Sequence, residues 1–284
     1  MASAQEINET KGRIGLTVTL KQEMTAQVGV AISEIQRTQE TLDQVRPFYT
    51  TLLEPLSLII RHNRSVLLHN PLCMDVHDSE KPIALVLIGT DRALCGTHND
   101  DLVEKAFELK QKEGRDAHYI AIGRQVVDVL RNYNHPVTNH FPSTTPEKTH
   151  TMEDVIPMCK PLLTDFQNNK YSRVYALHYN DAQELAVRQM LPIPLFPFLH
   201  YEDTIHPTFE PDNEKLVTWV LTRLFYTSFY NDFLTSALRE FNVRLLTAST
   251  AKVGAQQLHD ELGITYNTLR RGIITNQVIE LGDM

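Results

Sequence analysis

The chain has 284 residues, 42% of them hydrophobic and 22% charged, an ordinary globular balance that argues against disorder as the main state. A formal net charge of -8 disfavours nonspecific association with nucleic acid or anionic lipid. Cys73, Cys95 and Cys159 are odd in number and widely spaced. With no CxxC pair and no zinc spacing, they read as reduced thiols in a cytosolic setting. The N-terminus lacks the apolar stretch of a signal peptide, and no run approaches the roughly 20 apolar residues that cross a bilayer. Any membrane association is therefore expected to run through partners.

All 14 prolines lie between Pro47 and Pro211. A proline costs roughly 3 kcal/mol inside a helix, so the two proline-free ends are free to form long ones. Residues 5–46 read as one helix. Met24, Val28, Ala31, Ile35, Thr38, Leu42 and Val45 recur at alternating spacings of four and three, the heptad seam of a coiled coil. Gly12, Gly15 and Gly29 weaken this helix locally, and Pro47 and Pro55 are expected to kink its continuation.

The middle reads as α/β. IALVLIG (83–89), AHYIAIG (117–123) and RVYALHY (173–179) are short apolar runs of the kind found in buried parallel strands. Helical patterns alternate with them, including one near 151–168, which implies right-handed crossovers and a mostly parallel sheet. LFPFLHY (195–201) is expected as an edge strand, because its proline excludes a central position.

At the other end, Asp212 is the expected N-cap of a helix running to about Leu281. Leu234, Leu238, Phe241, Leu245, Ala248, Lys252, Ala255, His259, Leu262, Tyr266, Leu269 and Ile273 continue the four–three spacing. Such a helix is on the order of 100 Å long. Helices this long outrun a globular core, so the two ends are expected to pair as an antiparallel rod; a helical bundle folded back on the middle is the competing arrangement. Gly254, Gly263 and Gly272 repeat every nine residues and mark either close helix contact or weak points.

Catalytic constellations are scarce. GTDRALCG follows a strand and precedes a helix, where a phosphate loop belongs, but it has neither GxGxxG nor GxxxxGK[ST], so a structural turn is the stronger reading. Cys95 in that loop is expected to be a packed small residue, with His98 too near in sequence to serve confidently as its base. None of the 12 histidines, among them His62, His69 and the loop residues His135 and His140, has ligand spacing. Asp75, His77 and Asp78 read as a solvated loop rather than a weak metal site. No metal, cofactor or catalytic residue is expected, which favours an interaction or mechanical role.

The C-terminal stretch ITYNTLRRGIITNQVIELGDM resembles the signature end of ATP synthase gamma subunits, with Tyr266, Asn267, Arg270, Ile274 and Thr275 at matching places. Glu240, Arg244, Ala251, Ala255 and Leu258 fit the small-residue helix upstream, and Glu210-Pro211 its entry. VLIGTDRALCGTHND resembles the family's strand and following loop through Asp91, Leu94, Cys95, Gly96 and Asn99. The N-terminal helix matches more faintly, through Arg13, Ile14, Met24, Gln39 and Arg46-Pro47-Phe48. Three departures stand out. The first helix has fewer lysines, the usual Arg-Gln is Arg270-Arg271, and the glycine after the aspartate–arginine pair is Ala93. They suggest a divergent branch, such as the alternative sodium- or proton-pumping ATPases of some prokaryotes.

The resemblance implies a long antiparallel coiled coil, from 1–70 and 209–284, joined to a Rossmann-like, mostly parallel α/β domain at 71–208. It implies a non-catalytic central shaft on the cytoplasmic face of the plasma membrane, with the alpha, beta and epsilon subunits and the c-ring as partners. Met24, Arg270, Arg271 and Thr275 are its implied rotor–stator contacts. The rivals are a stand-alone small-molecule-binding α/β enzyme and a coiled-coil adaptor.

Overall fold

The computed structural model describes residues 4–62, 67, 69–74, 80–143, 151–194 and 213–282. Helix α1 spans Ala4–His62 and continues through Pro47 and Pro55. It is followed by β1 (Ile83–Ile88), α2 (His98–Glu113), β2 (Ala117–Ile122), α3 (Arg124–Asn132) and β3 (Val137–Phe141). Then come α4 (Met152–Gln167), β4 (Arg173–Tyr179), β5 (Leu185–Leu191) and α5 (Asn213–Gly282), 70 residues long. The expected edge strand at 195–201, the Asp212 cap and the Asp75–His77–Asp78 loop lie outside the described residues. Two compact units emerge: 34–241, and a smaller one pairing 1–33 with 242–284.

In the larger unit the five strands lie in the order β3-β2-β1-β4-β5. The first four are parallel, and β5 closes the sheet antiparallel to β4. All six β1 residues are buried because helices cover both faces, which explains its unbroken apolar run. Ala84, Val86 and Ile88 face α4 and the parts of α1 and α5 within this unit, where Leu42, Leu56, Phe166, Phe225 and Phe229 complete one core. Ile83, Leu85 and Leu87 face α2 and α3 across a second core. Helix α4 starts at a capping box, in which Asp154 accepts the backbone N–H of Thr151 at 2.9 Å and its hydroxyl at 2.8 Å.

Two strands differ from the sequence reading. Residues 137–141 form β3, so His140 stands on a strand and not in a loop. Residues 185–191 form the antiparallel β5 beyond a turn in which Asn180 donates its N–H to the Glu184 carbonyl and Gln183 takes φ 64°.

In the smaller unit the two helices run antiparallel. Lys21 Nζ donates to Gln256, and Arg244 Nη2 donates to Gln27 Oε1 at 3.0 Å, so position rises on one helix as it falls on the other. Thr10, Thr17, Met24 and Ala31 are its buried positions on α1, and Ala248, Ala255 and Leu262 recur on α5 at the same seven-residue interval, with Arg244 also buried. The half-buried positions between them, Val28 on α1 and Leu245, Lys252, His259, Tyr266 and Leu269 on α5, complete the four–three stripe. The buried threonines satisfy their own hydroxyls on helix carbonyls, Thr10 on Glu6 at 2.8 Å and Thr17 on Ile14 at 2.8 Å.

The loop at the switch point and the outer helix faces

A doubly wound sheet places its ligand crevice where strand order reverses, here beyond the C-terminal ends of β1 and β4. The loop Gly89–Thr97 leaves β1 at this end of the sheet, and its polar side chains bond to the loop itself and to the segments after β2 and β3. Asp91, 7% exposed, accepts the Arg124 N–H through Oδ1 and the Ser143 N–H through Oδ2, each at 2.8 Å. Its carboxylate thus sits at the positive N-terminal end of α3, where it pairs a backbone N–H group. Asn99 closes the other side, accepting the Thr90 N–H and donating to the Thr90 hydroxyl, both at 3.0 Å. Gly123 is required here. It has φ 100°, and a Cβ on it would fall 2.6 Å from the Thr90 backbone. GTDRALCG is therefore a clasp that ties β1 to α3 and the end of β3.

Cys95 is buried and its thiol donates to the Arg92 carbonyl at 3.2 Å, the packed role expected of it. His98, 2% exposed, lies against the Tyr179 ring with centroids 4.4 Å apart. Burial pushes its pKa down to about 4, so the ring is neutral at physiological pH. Gly96 takes φ 56°, where glycine is at ease, whereas Leu94 takes φ 71° with a full side chain.

A buried charged group escaped the sequence reading. Asp232 on α5 is fully buried and paired with Arg188 of β5, with His178 Nδ1 3.5 Å away. Burial pushes the Asp232 carboxyl up to about 7, against the pull of Arg188. Burial, then Arg188, push His178 down to about 4. Only the register of the unforeseen β5 brings Arg188 to Asp232, 44 positions along the chain.

The remaining family-motif residues are divided between the units. Glu240 is 3% exposed in the larger one and Arg244 is buried in the smaller. Met24 is likewise buried, inside the seam. Arg270, Arg271, Asn267 and Thr275 are exposed, with the Thr275 hydroxyl donating to the Arg271 carbonyl at 2.9 Å; Tyr266 is half-buried and Ile274 exposed. The outer faces of this unit also carry large apolar side chains open to solvent, among them Leu16 (72%), Leu246 (68%) and Ile264 (70%). The three recurring glycines of α5 do not mark close approach, because a Cβ at Gly254, Gly263 or Gly272 would meet nothing within 4 Å.

Fold and site together define a doubly wound α/β unit in which the loop after β1 is tied down by its own Asp91 and Asn99, in a chain whose two terminal helices pair with each other. The chain belongs to the ATP synthase family, whose model matches residues 6–282. It is 25% identical to the ATP synthase gamma chain of Psychrobacter arcticus, over 99% of this chain and 97% of that one. With the gamma chain of Fusobacterium nucleatum it shares 24% identity, over 97% and 96%. Among solved structures, it resembles a chain of the Tetrahymena thermophila mitochondrial ATP synthase central stalk and c-ring, with a TM-score of 0.57 and 20% identity. That match covers 80% of this chain and 98% of the other. A chain of the Euglena gracilis mitochondrial ATP synthase aligns with a TM-score of 0.50 and 15% identity, over 90% and 93%. Among the described residues, no helix is long and apolar enough to cross a membrane.

Proposed function

We propose that this chain is the central rotor shaft, the gamma subunit, of an F-type ATP synthase. In this role it couples proton or sodium translocation through the membrane sector to ATP synthesis or hydrolysis in the catalytic head. The observation that carries the reading is the pairing of helices from opposite chain ends along one heptad stripe, in a chain that the family model matches from 6 to 282. Large apolar side chains left on the outer faces of that pair suit a shaft sheathed by other subunits.

A shaft drives catalysis only by asymmetry. One that bound every conformation of the catalytic sites equally would shift none of them, so different faces of the helix pair must stabilise different conformations. In this reading 1–70 and 209–284 form the paired helices, which enter a ring of alternating alpha and beta subunits, and nucleotide chemistry belongs to the beta subunits. The α/β domain, 71–208, sits on the epsilon subunit and the c-ring. The chain attaches to the cytoplasmic face of the plasma membrane only through these partners.

We assign the contacts with the ring to Arg270, Arg271 and Thr275. Both guanidinium groups are exposed and suited to charge-assisted hydrogen bonds with acidic loops. Met24, buried in the seam, contributes by setting the spacing of the two helices. Co-purification with alpha and beta subunits tests the shaft itself: a chain that leaves both subunits behind is not the shaft, and is the enzyme if it binds and turns over a small ligand and the adaptor if it does not. The contact assignment is tested by replacing both arginines with alanine and measuring ATPase activity and torque of the assembled head. Lower torque with an intact complex is expected, and unchanged values remove the assignment.

A further inference from the structure

Within the larger unit, a cavity of about 670 Å³ opens between α1, β5 and α5. Ligand sites typically span roughly 300–1,000 Å³. Helix α1 lines it with a stripe from Arg46 through Leu53 to Ser57. At 1.5 Å per residue that stripe is about 16 Å long.

The lining is sorted by polarity along this length. At one end stand Arg46, Asp181, Arg188 and Asn231; towards the other stand Leu53, Ile193, Leu224 and Phe225, with Ser57 there donating its hydroxyl back to the Glu54 carbonyl at 2.7 Å. Met190 lies between them on β5. The order follows from the elements themselves, since α1 runs from Arg46 to Ser57 as α5 runs back from Asn231 to Leu224.

The polar end has an incompletely used guanidinium. Arg46 Nη2 donates to Asp181 Oδ1 at 2.5 Å and its Nη1 lies 3.9 Å from the exposed Asp43 carboxylate, while its Nε is buried with no hydrogen-bond partner. Asp181 is 64% exposed on the β4–β5 turn, and an exposed pair of this kind contributes about 1 kcal/mol or less. A ligand anion can therefore take its place at little cost. Arg188 is held at the same end by Asp232, which fixes a second guanidinium there.

We propose that this cavity binds a monomeric single-chain amphiphile, its anionic head on Arg46 and its apolar chain along Leu53, Met190, Ile193 and Phe225. The occupant bridges both long helices and the edge strand, and so stiffens the part of the body in which the helices are rooted. This inference does not depend on the rotor reading.

The test uses the full chain with dodecanoate, dodecyl phosphate and dodecanol as probes, followed by calorimetry and by thermal unfolding. Saturable binding of one anion per chain is expected, with a raised unfolding midpoint, and dodecanol weaker by at least about tenfold, the worth of a charge-assisted bond. Arg46→Gln removes the head contact, and Thr50→Trp, at an exposed lining position, fills the space without disturbing the core. Each should weaken dodecanoate binding by a similar factor with far-UV circular dichroism unchanged. Equal affinity for dodecanol, indifference to both substitutions, or no saturation below the micellar range overturns the proposal. Flotation with phosphatidylglycerol vesicles separates the source: binding to vesicles but not to monomers assigns the patch to a bilayer surface and likewise refutes it.

Discussion

The same two helices are built in two ways. In 34–241 they lie against a sheet whose other face is covered as well, and beside small buried residues such as Thr38, Thr227 and Ser236 they bury large apolar ones: Leu42, Leu56, Phe225, Phe229 and Phe233. In the unit of 1–33 and 242–284 the buried residues are mostly small or hydroxylated, Thr10, Thr17, Ala31, Ala248 and Ala255, with Met24, Arg244 and Leu262 as the bulkier exceptions. A seam that gives up one small residue per heptad removes far less apolar surface from water than a core of phenylalanines, at about 25 cal/mol per Å². The lesson is that helix length and helix stability are separate properties here. In 34–241 a closed core fixes the helices, and in the smaller unit they are held by a thin stripe alone.

The largest expected effect tests this contrast directly. Phe229→Ala in the body should destabilise the chain by about 3–5 kcal/mol in denaturant unfolding, because it leaves a cavity in a closed core. Met24→Ala in the seam should cost at the low end for such truncations, about 2 kcal/mol, with faster amide exchange confined to 4–33 and 242–282. Equal costs, or exchange in β1 as fast as in the outer helices, would break the comparison.

Asp91→Ala comes next. It strips the acceptors from the Arg124 and Ser143 N–H groups and should cost about 3 kcal/mol, read in the same unfolding experiment. This clasp also shows how far the sequence could be read. The loop, its place after a strand and the packed Cys95 were legible because Gly, Asp and an apolar run are local signals. That the carboxylate pairs an N–H group at the start of α3 was not, because the N–H groups it accepts lie 33 and 52 residues away.

The seam was legible from spacing alone: every position read onto the stripe from Met24 to Ile273 is buried or half-buried, while Leu246, Val253 and Ile264, equally apolar but off the stripe, are exposed. The two outer strands were not. β3, VTNHF, is half-exposed and carries no apolar run. In β5, LAVRQML, Arg188 and Gln189 interrupt the pattern because one serves a buried aspartate and the other bonds the Pro192 carbonyl at 2.8 Å. Edge strands answer to tertiary partners more than to their own periodicity.

The buried ionisable groups give the body its own pH response. His98 and His178, depressed to about 4 from 6.5, stay neutral when folded but bind protons when unfolded, so they remove stability as pH falls from about 6.5 to 4. Asp232, raised to about 7 from 3.8, binds a proton when folded across the same window and so opposes them. At pH 5 the unfolded chain holds two protons on these groups and the folded chain one. Stability should therefore rise with pH by about 1.4 kcal/mol per unit between pH 4 and 6.5. Asp232→Asn removes the opposing proton and should roughly double that slope, whereas His98→Gln should bring it near zero. Denaturant midpoints measured across this window decide it, and identical slopes for all three proteins would show that these groups do not govern the response.

The smallest effect returns to the outer pair. Gly254 and Gly263 sit in a helix where an added methyl meets nothing, so the glycines supply no contact and leave only their backbone freedom. Alanine at each should stabilise the helix by about 0.5–1 kcal/mol. The gain should appear as slower amide exchange in 242–282, with exchange in β1 through β4 unchanged. If the paired helices work by transmitting torque, the stiffened variant should deliver it with less angular slack between body and head. Slower exchange with torsional compliance unaltered would mean that the softness of the shaft lies somewhere other than in its glycines.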